Sequence, residues 1–314
     1  MAVLIISGIR TNKEAEAMVM ELKDAAARAF VESLRPRSEH TARSYAQAIG
    51  RFLEAVGKPV ARITVADAAN YLGSLSNLSA ASRAHHISAV RSFLKYCQGQ
   101  GIIPQTPLDA LKRPRVALTS MTRYLGQEEA ERLLEAAQKV SPQCYGACAT
   151  LLLTGLRVSE LASAQWRHLF RDPESRLGLL VVGKGGKERV VKVRDDLFAL
   201  LCEERSRRGL LTKLDGRDRS PLLAGRGRRP YTTRGLHKLV TGAARAAGID
   251  KPVSPHWLRH SFATLAAVGG APAYQLQADL GHARLETSQR YVHWAKGLAE
   301  SAVDALPIGV LPRQ

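Results

Sequence analysis

Apolar residues in the first third of the chain recur at helical spacing. The run from Asn12 to Leu34 is rich in Ala, Glu, Met and Leu, residues that cost little in a helix. Ser38 is placed to cap a second helix reaching Val56, with Tyr45, Ile49, Phe52 and Leu53 on one face and Gly57 at its end. Thr64 is placed to cap a short third helix through Leu72 and Leu75. Ser79 opens a fourth, where Ile87, Val90, Phe93, Leu94 and Cys97 form one apolar stripe before Gly99 and Gly101 stop it. The opposite face carries Arg83, His85, Arg91 and Lys95. This pattern predicts a compact four-helix unit with basic edges.

The periodicity then breaks. Pro104, Pro107 and Pro114, with the basic run Lys112, Arg113 and Arg115, predict an extended linker to about Met121 whose cations can lie along a phosphate backbone. Beyond it, Gln127 to Lys139 and Pro142 to Leu153 read as helices. Leu177 to Val182 and Arg189 to Val193 are β-rich, and the glycine-rich turn Gly183 to Lys187 joins them as a hairpin. Helices return at Asp195 to Ser206, Thr232 to Ala247, His256 to Ala267, Pro272 to Asp279 and briefly around Tyr291. Arg205 to Arg208 and Arg226 to Arg229 read as basic loops, and no internal repeat is visible. The expected fold class is mainly α with a small β-sheet. The expected division is a helical domain over residues 1–116, with its extension and linker, and a mixed α/β domain with a tail over residues 117–314.

Composition sharpens this. At 314 residues, 45% of them hydrophobic, the chain suits about two globular domains. Lys and Arg number 46 against 28 Asp and Glu, a net charge of +18. Such an excess suits a polyanion, because neutralising phosphates releases counterions and gives affinity without sequence readout. Cys97, Cys144, Cys148 and Cys202 form no CxxC pair, which fits free thiols in a reducing compartment. Cys144 and Cys148 lie one helical turn apart, but two ligands do not make a metal site. The apolar run Ala2 to Ile6 is too short for a signal-peptide core, and no stretch approaches the ~20 apolar residues of a membrane span. The expectation is a cytoplasmic protein that does not engage a membrane.

Four segments can carry chemistry. The first is Gly155 with Arg157 and Glu160: a tight turn, then an arginine where a helix starts with free N–H groups, a place suited to phosphate. Read alone, the same residues are a surface Arg/Glu pair worth ~0.3 kcal/mol. The second is the hairpin, where Lys184 or Lys187 can protonate a leaving alkoxide, something a permanently charged arginine does poorly. The third is His256 with Arg259, at i and i+3 on one helix face. The guanidinium can neutralise non-bridging phosphate oxygens while the imidazole handles a proton. His256 and His260 have metal-ligand spacing, but Trp257 stands where a zinc protease needs glutamate. The fourth is His282 followed nine residues later by Tyr291. Phenol has a pKa near 10, so a phosphotyrosine ester conserves the energy of a broken phosphodiester and allows rejoining without ATP. Each segment alone has an ordinary structural explanation. Their conjunction, in this order, in one basic domain, does not.

In that conjunction the chain resembles the tyrosine recombinases of the phage-integrase family, and within them the Xer-like and integrative-element enzymes. The resemblance implies a helical, SAM-like core-binding domain over about residues 24–112 and a catalytic domain of the DNA breaking-rejoining type over about 122–300. It implies catalytic roles for Arg157, Lys184, His256, Arg259, His282 and the nucleophile Tyr291, with Glu160 as the acidic helper and no metal or other cofactor. The implied reaction is site-specific recombination through a 3′-phosphotyrosine and a Holliday junction, for integration, excision or dimer resolution. The implied partners are double-stranded DNA and further copies of the chain, as a tetramer on two DNA sites, with room for an accessory protein or second recombinase. Expected DNA contacts are Arg83, Arg91, Lys95, Lys112, Arg113, Arg115 and Lys187. The competing readings are a type IB topoisomerase-like relaxing enzyme and a catalytically silent DNA-binding relative.

Overall fold

The computed structural model describes residues 24–36, 38–104, 123–183 and 186–296. The chain divides into two compact units, Met1–Ala117 and Leu118–Gln314.

The described part of the first unit is four helices: α1 (Ala25–Leu34), α2 (Glu39–Val56), α3 (Val65–Ser74) and α4 (Ala80–Gly99). Their starts are fixed by side chains that accept an otherwise orphaned backbone N–H. Ser38 accepts from Thr41, and Ser79 from Ser82. Thr64 and Asp67 form a reciprocal capping box. Asp24 caps α1, and the part of the expected first helix before it lies outside the described residues. Gly57 ends α2 in the left-handed conformation, φ 64°. Phe30, Ile49, Phe52, Val90, Phe93 and Leu94 meet in the core, where each such side chain contributes roughly 1.5–3 kcal/mol.

The second unit holds α5 (Gln127–Val140), α6 (Pro142–Thr154) and α7 (Val158–Ser163). A three-stranded antiparallel sheet follows, in the order β1 (Leu169–Arg171), β2 (Leu177–Val182), β3 (Glu188–Lys192). Then come α8 (Asp195–Ser206), α9 (Thr233–Ala246), α10 (Pro255–Val268), α11 (Ala273–Leu280) and α12 (Leu285–Lys296). The fold is therefore mainly α with a small sheet. Leu179 pairs with Leu169 on one side and Val191 on the other, and all three are buried against the helices. Strand β1 was not expected, since three residues are too few for a period of two to register. The hairpin closes through Gly183 N–H to the Lys187 carbonyl at 2.7 Å; Lys184 and Gly185 lie outside the described residues.

One expected basic loop is corrected. Arg205 and Ser206 are the last residues of α8, and Arg205 is only 3% exposed. Its guanidinium lies 4.2 Å from the Trp166 ring centre, donates to Ser220 Oγ at 2.9 Å and the Leu211 carbonyl, and pairs with Asp218. Arg205 thus ties α8 to the segment ahead of α9. The turn carrying Arg226, Arg228 and Arg229 is exposed as expected. Among the described residues, no helix is long and apolar enough to cross a membrane.

Candidate active site

The site grows from two helix ends. Helix α6 ends at Gly155, φ 63°, and α11 ends at Gly281, φ 61°. At Gly155 a Cβ would also lie 2.6 Å from Phe262 Cδ1, so glycine is required by both backbone and packing. Each helix end leaves backbone carbonyls without intrahelical donors. Arg259, on α10 and 4% exposed, donates to the Gly155 carbonyl at 2.7 Å and the Leu280 carbonyl at 2.5 Å. Arg189, on β3, donates through Nε to the Asp279 carbonyl at 2.9 Å. Two guanidiniums therefore complete the C-terminal turn of α11, where a cation also meets the negative end of the helix dipole.

Glu160 sets the remaining geometry. From the first turn of α7 its carboxylate accepts the Arg157 backbone N–H at 2.8 Å and the Arg157 side chain at 2.8 Å. It also accepts a forked pair from Arg189 at 2.9 and 2.8 Å. Instead of a surface pair, Arg157 and Glu160 belong with Arg189 to a three-residue network around a buried carboxylate. The Glu160 side chain is 3% exposed and that of Arg157 is 40% exposed, so the carboxylate anchors below while the Arg157 cation faces outward. Burial pushes the Glu160 carboxyl up, but hydrogen bonds from Arg189, the Arg157 N–H and the Arg157 side chain outweigh it and lower its pKa from 4.5 to about 2. Because the folded value lies below the unfolded one, this stabilisation is complete above about pH 4.5 and is lost as pH falls toward 2. Glu160→Gln is expected to melt lower at neutral pH and to lose part of the acid dependence in that window. A melting-temperature series against pH checks this, and an unchanged slope would count against the network.

The histidines cluster beside these cations. His256 and His260, one turn apart on α10, have ring centres 4.4 Å apart at a steep angle. His256 is exposed at the rim and His260 is buried. Helix α10 and Gly281 thus bring His256, Arg259 and His282 onto one site. Nδ1 of His282 lies 2.9 Å from Oγ of the fully buried Ser288. Burial, then the charges of Arg259, Arg157 and Arg189, lower the His282 pKa to about 4. Burial, then His256 and Arg259, do the same to His260, also to about 4. Burial with the Arg259, Arg157 and Arg123 charges lowers His256 as well. A phosphodiester anion among these cations would offset that depression. Arg259 is itself lowered to about 10, by burial and by Arg157, and stays charged at neutral pH.

Tyr291 lies on α12, which packs on α10 and α11. It is 5% exposed, its ring among Ala263, Ala267, Leu276 and Leu280. The ring stacks toward His282 at 6.3 Å between centres, and the hydroxyl is hydrogen-bonded to Nδ1 of His260. Burial raises the phenol pKa, opposed by the charges of Arg259 and Arg290.

Arg157, Glu160, His256, Arg259, His282 and Tyr291 therefore share one locus, while Lys184 lies outside the described residues. Lys187 is exposed on the hairpin. Arg83, Arg91 and Lys95 belong to α4, in the other unit, and Lys112, Arg113 and Arg115 lie outside the described residues. Sequence reasoning missed Arg189, His260 and Ser288 as members of the site. A charge inside the β-rich run was the available signal for Arg189, and adjacency to Arg259 was the signal for His260. Ser288 stands three residues before Tyr291, on the same helix face.

Comparison with known proteins places this geometry. Residues 123–297 match the phage integrase family, and residues 28–101 match the N-terminal SAM-like domain of phage integrases. The chain is 38% identical over 239 residues to the tyrosine recombinase XerD of Caulobacter vibrioides, covering 74% of this chain and 77% of that one. It is 33% identical over 275 residues to the tyrosine recombinase XerC of Myxococcus xanthus, covering 84% and 90%. The fold is shared with the crystal structure of the XerH site-specific recombinase bound to a palindromic difH substrate. The TM-score is 0.73, identity 24%, and coverage 87% of this chain and 82% of that one. The λ integrase dimer on a core site gives a TM-score of 0.68 at 18% identity, covering 85% and 94%. The chain belongs to the phage integrase family and is a site-specific DNA recombinase of the tyrosine type.

Proposed function

We propose that Tyr291 attacks a DNA phosphodiester held by Arg157, Arg259 and His282, forming a 3′-phosphotyrosine and releasing a 5′ hydroxyl. The reading is supported by the charges of Arg259 and Arg157 both acting on His282, whose ring stacks toward that of Tyr291. In the transition state the arginines neutralise the non-bridging oxygens, and His282 donates a hydrogen bond. His256, at the rim, handles a proton, and Lys184 protonates the departing 5′ oxygen. Glu160 acts through Arg157 by fixing its orientation. The 5′ hydroxyl of a partner strand then attacks the phosphotyrosine, so one ester is exchanged for another and the phenol is restored. Strand exchange passes through a Holliday junction. No metal or nucleotide cofactor enters this scheme, because the number and type of bonds are conserved.

The reading extends to assembly. Structures of λ integrase are described as a dimer on a core site and a tetramer on a Holliday junction. By that likeness, and by the net charge of +18, four copies of this chain act on two duplex sites in the cytoplasm, with an accessory protein or second recombinase as a further partner. Arg83, Arg91, Lys95 and Lys187, with Lys112, Arg113 and Arg115, supply phosphate contacts. The test is to trap the protein on a nicked duplex built on the site it selects from random-sequence DNA. A denaturation-resistant adduct is expected, and peptide mapping should place the phosphate on Tyr291. An adduct on another residue, or none, would defeat the proposal.

A further inference from the structure

The mechanism above leaves the buried imidazole beside Arg259 unused. His260 is 8% exposed, sits directly after Arg259 on α10, and takes the Tyr291 hydroxyl on Nδ1. The Tyr291 ring is confined by Ala263, Ala267, Leu276 and Leu280, so α10, α11 and α12 all limit its position. Among the described residues its hydroxyl hydrogen-bonds to His260 Nδ1. The same helix that presents Nδ1 carries Arg259, whose two bonds to helix-end carbonyls lock its own position.

We infer that His260 is the positioning residue of the nucleophile: its Nδ1 accepts the Tyr291 hydroxyl hydrogen and sets the phenolic oxygen beside Arg259 and His282 before DNA arrives. This rests on the reading of Tyr291 as nucleophile. A phenol buried among apolar side chains keeps its proton, and that proton needs an acceptor, since a buried hydroxyl left unpaired loses the solvation it had in water. Nδ1 can accept only on a neutral ring with its proton on Nε2. The surroundings favour the neutral ring, because burial, then His256, Arg259, His282 and Arg123, disfavour the imidazolium, and a phenol that keeps its proton selects the tautomer that can accept it. Preorganisation of this kind raises rate rather than affinity, because small misplacements of a reacting atom are costly.

The test uses two amides that place an acceptor differently. In His260→Asn the side-chain oxygen takes the place of Nδ1, and in His260→Gln it moves toward the place of Nε2. Both variants, wild type and Tyr291→Phe are compared on the nicked duplex, reading the rate of covalent adduct formation at saturating DNA and the DNA affinity separately. The Gln variant is expected to form adduct roughly 10- to 100-fold more slowly than wild type. The Asn variant is expected to stay within about threefold, with both affinities within about twofold of wild type. Equal rates for the two amides, whether slowed together or both near wild type, overturn the inference, because the place of the acceptor is then irrelevant. So does a faster Gln variant, which would make the contact a restraint rather than a presentation. Loss of DNA affinity in step with rate also overturns it, marking His260 as structural. A wild type that forms no adduct, or an adduct that survives in Tyr291→Phe, removes the nucleophile reading instead, and this inference with it.

Discussion

Tyr291→Phe is expected to abolish covalent adduct formation outright while leaving DNA affinity within about twofold of wild type. The ring is what packs, and phenylalanine fills the same space among Ala263, Leu276 and Leu280. Only the oxygen is lost, and with it the sole atom that can become the phosphate ester in the proposed reaction. The cations that would hold DNA are untouched: Arg259 bonds to Gly155 and Leu280, and Arg157 to Glu160. Folding should change little. The substitution strands Nδ1 of His260, at a cost of about 1 kcal/mol. The measurement is a gel-shift titration beside a denaturing gel on the same nicked duplex. Adducts formed by the Phe variant would move the nucleophile elsewhere. A collapse of affinity would make Tyr291 a structural residue.

How much of this was legible in the chain depended on the distance over which each residue acts. Ser38, Thr64, Ser79 and Gly57 act on their own helix ends, and the helices start and stop where those residues predict. Gly155 was read as a tight turn, but its second reason, the Phe262 and Leu280 side chains filling its Cβ position, arises only in three dimensions. Glu160 was seen three residues from Arg157. Its stronger partner, Arg189, is 29 residues away and arrives through strand pairing, which local spacing cannot reveal. Arg205 shows the opposite error. Four consecutive residues with three arginines suggested a solvated loop, yet Asp218 and the Trp166 ring draw the first of them inside. Spacing offers His260 only as a partner of His256 at metal-ligand distance, because nothing in the sequence says that a tyrosine 31 residues later returns to it.

The site is built from helix ends for a physical reason. A phosphate-binding cation must be held rigidly without being neutralised by a carboxylate. Arg259 meets that requirement by bonding to carbonyl oxygens, which orient the guanidinium while leaving it a full cation, with its pKa still at about 10. Glu160 does neutralise charge, but it is shared between Arg157 and Arg189, so the three residues together remain positive. Helix ends are the cheapest source of unpaired carbonyls in a folded chain, and the left-handed glycines Gly155 and Gly281 end both helices at the place needed.

Arg259→Ala should therefore lose stability and catalysis together, through separable causes. Truncation leaves the Gly155 and Leu280 carbonyls without their donor in a buried setting, and opens a void where a 4%-exposed side chain stood. At about 1–3 kcal/mol for each unpaired buried group, the loss is on the order of 3 kcal/mol. For a unit of this size that lowers the melting temperature by roughly 6–12 °C. Catalysis should suffer more, because one preorganised transition-state donor is worth about 10²- to 10³-fold in rate. Arg259→Lys separates the two effects. An ammonium keeps the charge but cannot span both carbonyls with a planar fork, so part of the melting temperature should return while adduct formation stays depressed. Calorimetry and single-turnover cleavage at saturating DNA give the two numbers. If either variant cleaved within about threefold of wild type, Arg259 would be only a structural tie between α6 and α11, and the phosphate would have to be held by Arg157 and His282 without it.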